Sequence, residues 1–342
     1  MIEARGLAKR FGERVALHGI SFQVDEGEIY GLLGRNGAGK TTTIRILACL
    51  LRPSAGSARV AGHDIATEAA AIRARVGILT EVPGLYERLN AWEYLDFFGE
   101  MYRLPAPVRR ARAEELLRLL GLWEMRRQRL RAFSKGMKQK VAIARALLHA
   151  PRVVFFDEPT AALDPESAKT VRDYLQYLAE ERRVTVLLCT HNLAEAERLC
   201  RRLSIVRDGR QIAEGTPAAL KATIGQRMVL RLREPRPELL AVLAATPGVL
   251  GVERVDGRVY FRASEPERVN PQVVARLVGA GGEVVTLEPE AIQLEDVYLA
   301  FVRGLAGAEP PPAAALAAGG DPSPWRAGPP CPAAAPPGGP SL

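Results

Sequence analysis

The sequence predicts an α/β protein: a parallel sheet interleaved with helices, then a smaller α+β unit, then an unstructured tail. Three observations carry this. A glycine-rich loop, Gly34-Arg35-Asn36-Gly37-Ala38-Gly39-Lys40-Thr41-Thr42, stands between a buried strand (Glu28–Leu33) and a helix opening at Thr42–Leu47. Two apolar stretches, Val153–Phe156 and Thr185–Cys189, end in polar residues, Asp157-Glu158 and Thr190-His191, at the strand ends where ligands bind in such folds. After Thr216-Pro217 the pattern changes to β-α-β-β-α-β, with the second helix over Pro271–Gly279, the order of a small ferredoxin-like unit.

Taken in order, Ile2 to Val24 alternates as strands do, with turn signals at Phe11-Gly12-Glu13 and Asp25-Glu26-Gly27. Phe11 interrupts a basic, glycine-containing stretch. An aromatic there suits stacking on a purine, or simply covers the hairpin turn, and the local sequence leaves both open. The loop from Gly34 fits G-x-x-x-x-G-K-[ST], the phosphate-binding pattern. Glycines at 34, 37 and 39 let the backbone wrap around phosphate with amides pointing inward, and the following helix end adds a partial positive charge. Lys40 is placed to reach β- and γ-phosphates, and the Thr41 hydroxyl to ligate Mg²⁺.

Pro53-Ser54-Ala55-Gly56 ends that helix, and Ser57–Val60 returns as a strand. Ala70–Arg75 reads as a short helix and Val76–Leu79 as a strand leading to Thr80-Glu81. Helical spacing runs from Asn90, with Glu93 completing a capping box, to Met101, and again from Pro107 to Leu120, where Gly121 stops it. A helical insert of about residues 90–150 is therefore expected within the α/β frame. It includes the helix predicted over Lys140–His149, which follows Phe133-Ser134-Lys135-Gly136-Met137-Lys138-Gln139. Asp157 at a strand's C-terminal end suits the Mg²⁺ shell, and Glu158 beside it suits accepting a proton from an attacking water. Helices are expected at Ser167–Glu180 and Leu193–Leu199, and Asp208-Gly209 marks a tight hairpin between Ser204–Arg207 and Arg210–Ala213.

The bulk numbers narrow the class. The chain has 342 residues, 47% hydrophobic and 25% charged, with a net charge of +8, which is the composition of a soluble globular protein. No apolar run approaches the ~20 residues needed to span a bilayer. The N-terminus carries no signal-peptide core, so the expected location is the cytosol unless a partner holds the chain at a membrane. The run Arg126, Arg127, Arg129, Arg131 reads as a solvated face rather than a nucleic-acid surface. Cys49, Cys189, Cys200 and Cys331 lack metal-ligand spacing and imply no disulfide framework.

Gly34–Thr41, Phe133–Met137, Asp157-Glu158, Ala162-Leu163-Asp164 and His191, in that order over about residues 1–217, resemble the ATP-binding cassette of ABC transporters. Ser-Lys-Gly-Met at 134–137 most resembles the multidrug and ABC-2-type exporter ATPases. The resemblance implies a RecA-like core, an antiparallel β subdomain and a helical subdomain. It further implies that Phe11 stacks on adenine, that Gly34, Arg35, Asn36, Gly37, Ala38, Gly39, Lys40, Thr41 and Thr42 hold the triphosphate, and that Asp157 supports Mg²⁺. Glu158 would be the general base and His191 would contact the γ-phosphate. Ser134, Lys135, Gly136 and Met137 would meet ATP held by the other subunit, and Asp164 would sit in the loop crossing between subunits. The chain departs from the family pattern in two places. Glu81 stands where a Gln is common, adding negative charge near phosphate while still able to meet Mg²⁺ or water. The signature has Lys135 and Met137 instead of Gly and Gln, and Lys135 either attracts phosphate or points to solvent.

A signature that acts in trans implies a homodimer or heterodimer of cassettes, because the chain holds a single P-loop. The expected function is the ATPase subunit of an exporter at the cytoplasmic face of the cell membrane. Its partner would be a separate integral membrane permease, faced by Pro83–Tyr86 and the helical insert. The competing reading is a cytosolic cassette ATPase acting on ribosomes or DNA. Such relatives usually carry two cassettes, zinc or long coiled coils, none of which is present, so no nucleic-acid partner is expected. A GTPase or kinase is disfavoured by the lack of an Asn-Lys-x-Asp motif. The expected divisions are a cassette (1–217), an accessory α+β domain (218–304) ending in a Leu294–Val302 helix, and a disordered Ala/Pro/Gly-rich tail (305–342) with Trp325.

Overall fold

The computed structural model describes residues 1–82, 84–223, 227–290 and 292–303. Pro83 and the predicted tail with Cys331 and Trp325 lie outside the described residues. Strands β1 (Ile2–Phe11) and β2 (Arg14–Val24) form the expected hairpin. β3 (Ile29–Leu33) is buried throughout and feeds the glycine loop and α1 (Lys40–Leu47). β4 (Ala55–Val60), β5 (His63–Asp64), α2 (Ala69–Arg73) and β6 (Val76–Leu79) follow. α3 (Ala91–Met101) starts at the predicted capping box, in which the Glu93 amide donates to Asn90 at 2.8 Å and the Asn90 amide to Glu93 at 3.0 Å. α4 (Ala106–Leu119) completes a helical pair.

The next helix differs from expectation. α5 (Lys135–Leu147) begins five residues before Lys140, directly after Ser134, whose hydroxyl accepts the Met137 amide at 3.2 Å. Its first turn faces outward, with Ser134 and Lys135 exposed, so Lys135-Gly136-Met137-Lys138 shows none of the apolar spacing that betrays a helix. β7 (Val153–Asp157), α6 (Pro165–Glu180), β8 (Thr185–Thr190), α7 (Leu193–Leu199), β9 (Arg202–Arg207) and β10 (Arg210–Gly215) complete this part.

β6, β7, β8, β3 and β9 are parallel, β10 joins antiparallel, and the sheet order is β10-β9-β3-β8-β7-β6. Strand residues alternate between two cores, as the two-residue period requires. Ile29, Leu33, Val154, Phe156, Val186 and Leu188 face the core shared with the helices. Tyr30, Leu32, Val153, Phe155, Leu187 and Cys189 face the core shared with the antiparallel sheet β2-β1-β4-β5. Each fully buried Phe here contributes about 1.5–3 kcal/mol. Burial on both faces is why these strands read as unbroken apolar runs.

Beyond β10 come α8 (Pro217–Ala222), β11 (Arg227–Leu232), α9 (Pro237–Ala244), β12 (Val249–Val255), β13 (Arg258–Ala263), α10 (Pro266–Gly279), β14 (Val284–Pro289) and α11 (Leu294–Arg303). The third sheet has the order β12-β13-β11-β14, all antiparallel. That is the split β-α-β arrangement the element order predicted. Its own core joins Leu230, Val259 and Phe261 to Leu239, Leu243, Val273 and Leu277. α10 begins five residues earlier than the expected Pro271, because Pro266 takes the first turn and Pro271 is carried inside the helix. α11 turns back, with Leu294 and Val297 buried in the helical core of the first part.

Candidate functional site

Three adjacent parallel strands, β3, β8 and β7, end side by side, and each delivers its polar residues to one edge of the sheet. From β3 comes the glycine loop. Gly39 adopts φ +110° as the residue capping α1, a conformation closed to most L-residues. A Cβ at Gly34 would meet the Val206 carbonyl oxygen at 2.3 Å, so only glycine fits between the loop and β9. The tight Asp208-Gly209 hairpin, with φ of +48° and +71°, seats the loop from the other side. There the Gly209 amide donates to the Ala38 carbonyl at 3.0 Å and the His18 amide to the Gly209 carbonyl at 2.8 Å. The first bond of α1 is Thr43 N–H to Gly39 O at 2.9 Å, so the amides of Lys40, Thr41 and Thr42 have no partner within the helix. Gly37 faces open space.

Lys40 is 6% exposed. Its ammonium donates to the Gly34 carbonyl at 2.6 Å and lies 3.8 Å from Glu158 Oε1. The Thr41 hydroxyl donates to Asp157 Oδ2 at 2.6 Å. Burial pushes the Asp157 carboxyl up, opposed by the Thr41 hydrogen bond and the Lys40 charge and reinforced by the Glu158 and Glu81 charges. Thr41 and Asp157 thus present two hard oxygen donors at the mouth of the loop. That donor set fits Mg²⁺, which characteristically takes few protein ligands and completes its shell with phosphate and water. Among the described residues no group of three or more acidic, His or Cys side chains is placed to hold a metal by itself.

β7 ends in a strained turn. Glu158 has φ +54°, a conformation that costs a non-glycine residue on the order of 1–3 kcal/mol and persists where its surroundings hold it. Its amide donates to the Cys189 carbonyl at 2.9 Å. From α5, the Gln139 side-chain amide donates to the Glu158 and Pro159 carbonyls at 3.2 and 3.3 Å. The Glu158 side chain, 11% exposed, turns toward the end of β8. Its Oε1 accepts the His191 amide at 2.9 Å and His191 Nδ1–H at 2.7 Å, and its Oε2 accepts the Thr190 hydroxyl at 3.3 Å. The His191 side chain is 60% exposed, and its Nε2 has no hydrogen-bond partner among the described residues.

The structure thus joins Gly34–Thr42, Asp157, Glu158 and His191 into one edge. Glu81 is exposed at the end of β6 and makes no hydrogen bond to Thr41 or Asp157; its charge acts on Asp157 through space. Phe11, 48% exposed, sits at the end of β1 under the Lys9 ammonium, 5.1 Å from the ring centre. Ser134, Lys135, Gly136 and Met137 make no hydrogen bond or ion pair to the glycine loop. They lie at the start of α5, where a Cβ on Gly136 would come within 2.8 Å of the Ala162 carbonyl oxygen. Asp164 caps α6 and accepts the Ser167 amide at 2.9 Å; hydrogen bonds from Ser167 hold its carboxyl below the usual range. Sequence reasoning placed Thr190 at the strand end without a role and missed Gln139, Thr160 and Glu195; all four stand behind Glu158. The available signal was Asn192 with Glu195, a cap and its third residue opening α7 beside His191.

Comparison with known proteins gives the family and the fold. The ABC transporter family model matches residues 17–161, and the model of the DrrA1-3-like ATP-binding protein C-terminal domain matches residues 215–302. The chain is 40% identical to the daunorubicin resistance ATP-binding protein DrrA3 of Streptomyces coeruleorubidus, over 87% of this chain and 91% of that one. It is 32% identical to the linearmycin resistance ATP-binding protein LnrL of Bacillus subtilis (strain 168), over 87% of this chain and 97% of that one. A solved ATP-binding subunit of an ABC transporter superposes with a TM-score of 0.61 at 33% identity, covering 65% of this chain and 92% of that one. A dimeric ATP-binding cassette in a post-hydrolysis state, bound to ADP and Pi, gives 0.59 at 29% identity, covering 63% and 98%. The chain belongs to the ATP-binding subunits of ABC transporters, the ATP-hydrolysing cassettes of that family.

Proposed function

We propose that this subunit drives export through a separate membrane permease, by binding and hydrolysing ATP between two copies of the chain. The observation that carries the reading is the convergence of Lys40, Thr41, Asp157, Glu158 and His191 on one sheet edge. The likeness to drug-resistance subunits along 87% of the chain supports a transport role over a ribosomal or DNA-associated one. No helix among the described residues is long and apolar enough to cross a membrane; in this reading a permease supplies the path and holds the subunit at the cytoplasmic face.

In this reading Gly34 to Thr42 wraps the triphosphate with its amides, and Lys40 leaves the Gly34 carbonyl to pair with the β- and γ-phosphates. Thr41 and Asp157 would hold Mg²⁺, whose charge would neutralise that of the phosphates. Phe11 stacks on the base. Glu158 Oε1 already carries two hydrogen bonds from His191, so Oε2 is the oxygen that takes the proton of the attacking water. His191 presents Nε2 to the γ-phosphate. Ser134 and Gly136 lie apart from their own glycine loop and meet the ATP of the second copy; because each copy holds both halves, two copies complete two sites. Asp164 sits at that crossing, Lys135 adds attraction for phosphate, Met137 packs against the helical core, and Glu81, whose charge acts on Asp157 through space, would meet Mg²⁺ or water.

We further assign residues 1–217 to the cassette, 218–304 to an accessory domain and 305–342 to a tail. The permease surface is the aromatic cluster on the helical insert. Tyr86 packs against Phe97 and Phe98 with ring centres 5.8 and 5.9 Å apart, and Val82, Tyr86, Phe97 and Met101 remain exposed. The cargo is drug-like, in keeping with the DrrA3 and LnrL likeness. The direct test is resistance and efflux in cells expressing this chain with its permease; loss of neither on Lys40→Ala substitution contradicts the proposal.

A further inference from the structure

Glu195 touches no part of the glycine loop, yet it stands directly behind the groups assigned to hydrolysis. It is 3% exposed, in the first turn of α7. Its Oε1 accepts the Thr160 hydroxyl at 2.7 Å, and its Oε2 lies 3.3 Å from the Thr190 hydroxyl. Thr160 belongs to the turn that starts at Glu158, and Thr190 immediately precedes His191. The Thr190 oxygen accepts the Asn192 amide at 3.0 Å, and its single proton has two carboxylates at equal range, Glu195 Oε2 and Glu158 Oε2 at 3.3 Å each.

We infer that Glu195 is a positioning residue for ATP hydrolysis, tying the Glu158 turn to the strand end that carries His191 by bridging Thr160 and Thr190. The inference rests on the reading of Glu158 as the base. The Glu158 turn is strained and holds its shape only while its neighbours constrain it. Gln139 constrains it through the backbone from α5. Glu195 is the side chain that constrains it from α7, and it does so at both ends of the gap the Glu158 carboxylate must span. Glu195→Ala leaves two hydroxyls without their shared acceptor and lets the turn and the strand end move independently. Glu195→Gln keeps an acceptor for Thr160 and offers an amide donor to Thr190, which directs the Thr190 proton to Glu158.

The test measures kcat, ATP Kd and Tm on the full chain for wild type, Glu195→Ala, Glu195→Gln, Thr190→Val and the double variant Glu195→Ala/Thr190→Val. The expected result is a kcat loss of about 10-fold or more for Glu195→Ala, since small misplacements of a reacting group are costly. ATP Kd should stay within about threefold of wild type, since Glu195 lies outside the phosphate contacts. Glu195→Gln should recover most of the rate, and the double variant should be little worse than either single one. A kcat within about twofold of wild type for Glu195→Ala overturns the inference, as does a parallel fall in Kd, kcat and Tm that Glu195→Gln does not relieve. If Glu195→Ala does not fold, Thr190→Val decides: an unchanged kcat overturns it. Glu158→Gln is the control. Its activity refutes the base assignment itself, whereas an inactive Glu158→Gln beside an active Glu195→Ala refutes only the positioning role.

Discussion

Replacing Gly34 by alanine isolates what the close approach of backbone to phosphate requires. The φ of Gly34 is not in the left-handed region, so the added methyl carries no conformational penalty and its whole effect is steric. The new Cβ would stand 2.3 Å from the Val206 carbonyl oxygen and 3.0 Å from Ala38 Cβ. An ordinary carbon–oxygen contact is about 1 Å longer than the first of these. Val206 belongs to β9, which pairs with both β3 and β10, so the loop moves rather than the sheet. A shift near 1 Å at the groups that orient ATP costs about 10²-fold in rate. Gly37→Ala is the matched comparison: there φ is +83° with nothing within 4 Å, so the cost is backbone strain alone, about 1–2 kcal/mol. ATP titration calorimetry and steady-state hydrolysis on both variants separate the two effects. Gly34→Ala is expected to lose about 100-fold in kcat/KM, and Gly37→Ala about 10-fold, the equivalent of its strain. A Gly34→Ala protein with wild-type affinity and rate would refute the steric account of the loop.

Other outcomes follow from the same geometry. Asp157→Asn should stabilise the nucleotide-free protein by on the order of 1 kcal/mol, a rise of a few degrees in Tm, while abolishing Mg²⁺-dependent turnover. Burial raises the Asp157 pKa, so its favourable contribution is complete below the unfolded carboxylate value and lost as pH rises through the folded one. The stabilisation by Asn should therefore appear at neutral pH and fade in acid, which thermal melts across pH will measure. Phe261→Ala opens the third core, where Phe261 is fully buried, and should cost about 3–5 kcal/mol in denaturant unfolding of that region. ATP affinity should be unchanged, since no member of that core touches the glycine loop.

Much of this site was readable before any coordinates. Gly34–Lys40 and Asp157-Glu158 announce themselves because close phosphate approach and metal ligation demand particular residue types at fixed spacing. The sheet was equally plain, since burial on both faces makes Val153–Phe156 and Thr185–Cys189 continuous apolar runs. The start of α5 was hidden because its first turn faces outward with a glycine and lysines, leaving Ser134 as the signal. Pro271 marked a false start for α10: proline suits a helix's first turn and is costly inside one, so the pattern points to an entry at Pro271, whereas Pro266 takes the first turn and the helix carries Pro271 within it. The roles of Glu195, Thr160, Thr190 and Gln139 were hidden for a different reason. They come from meeting across α5, α7 and two strand ends, and Gln139, Thr190 and Glu195 are buried polar groups with partners far away in sequence.

The central claim is that each chain carries half of two composite sites, with Lys40 and Glu158 on one copy and Ser134 and Gly136 on the other. The most direct measurement is the mass of the Glu158→Gln protein by analytical ultracentrifugation with and without Mg-ATP, alongside its hydrolysis rate. The account predicts turnover reduced by about 10² or more and a dimer that forms with ATP and persists. Rapid hydrolysis by this variant, or a mass that does not respond to ATP, would contradict it.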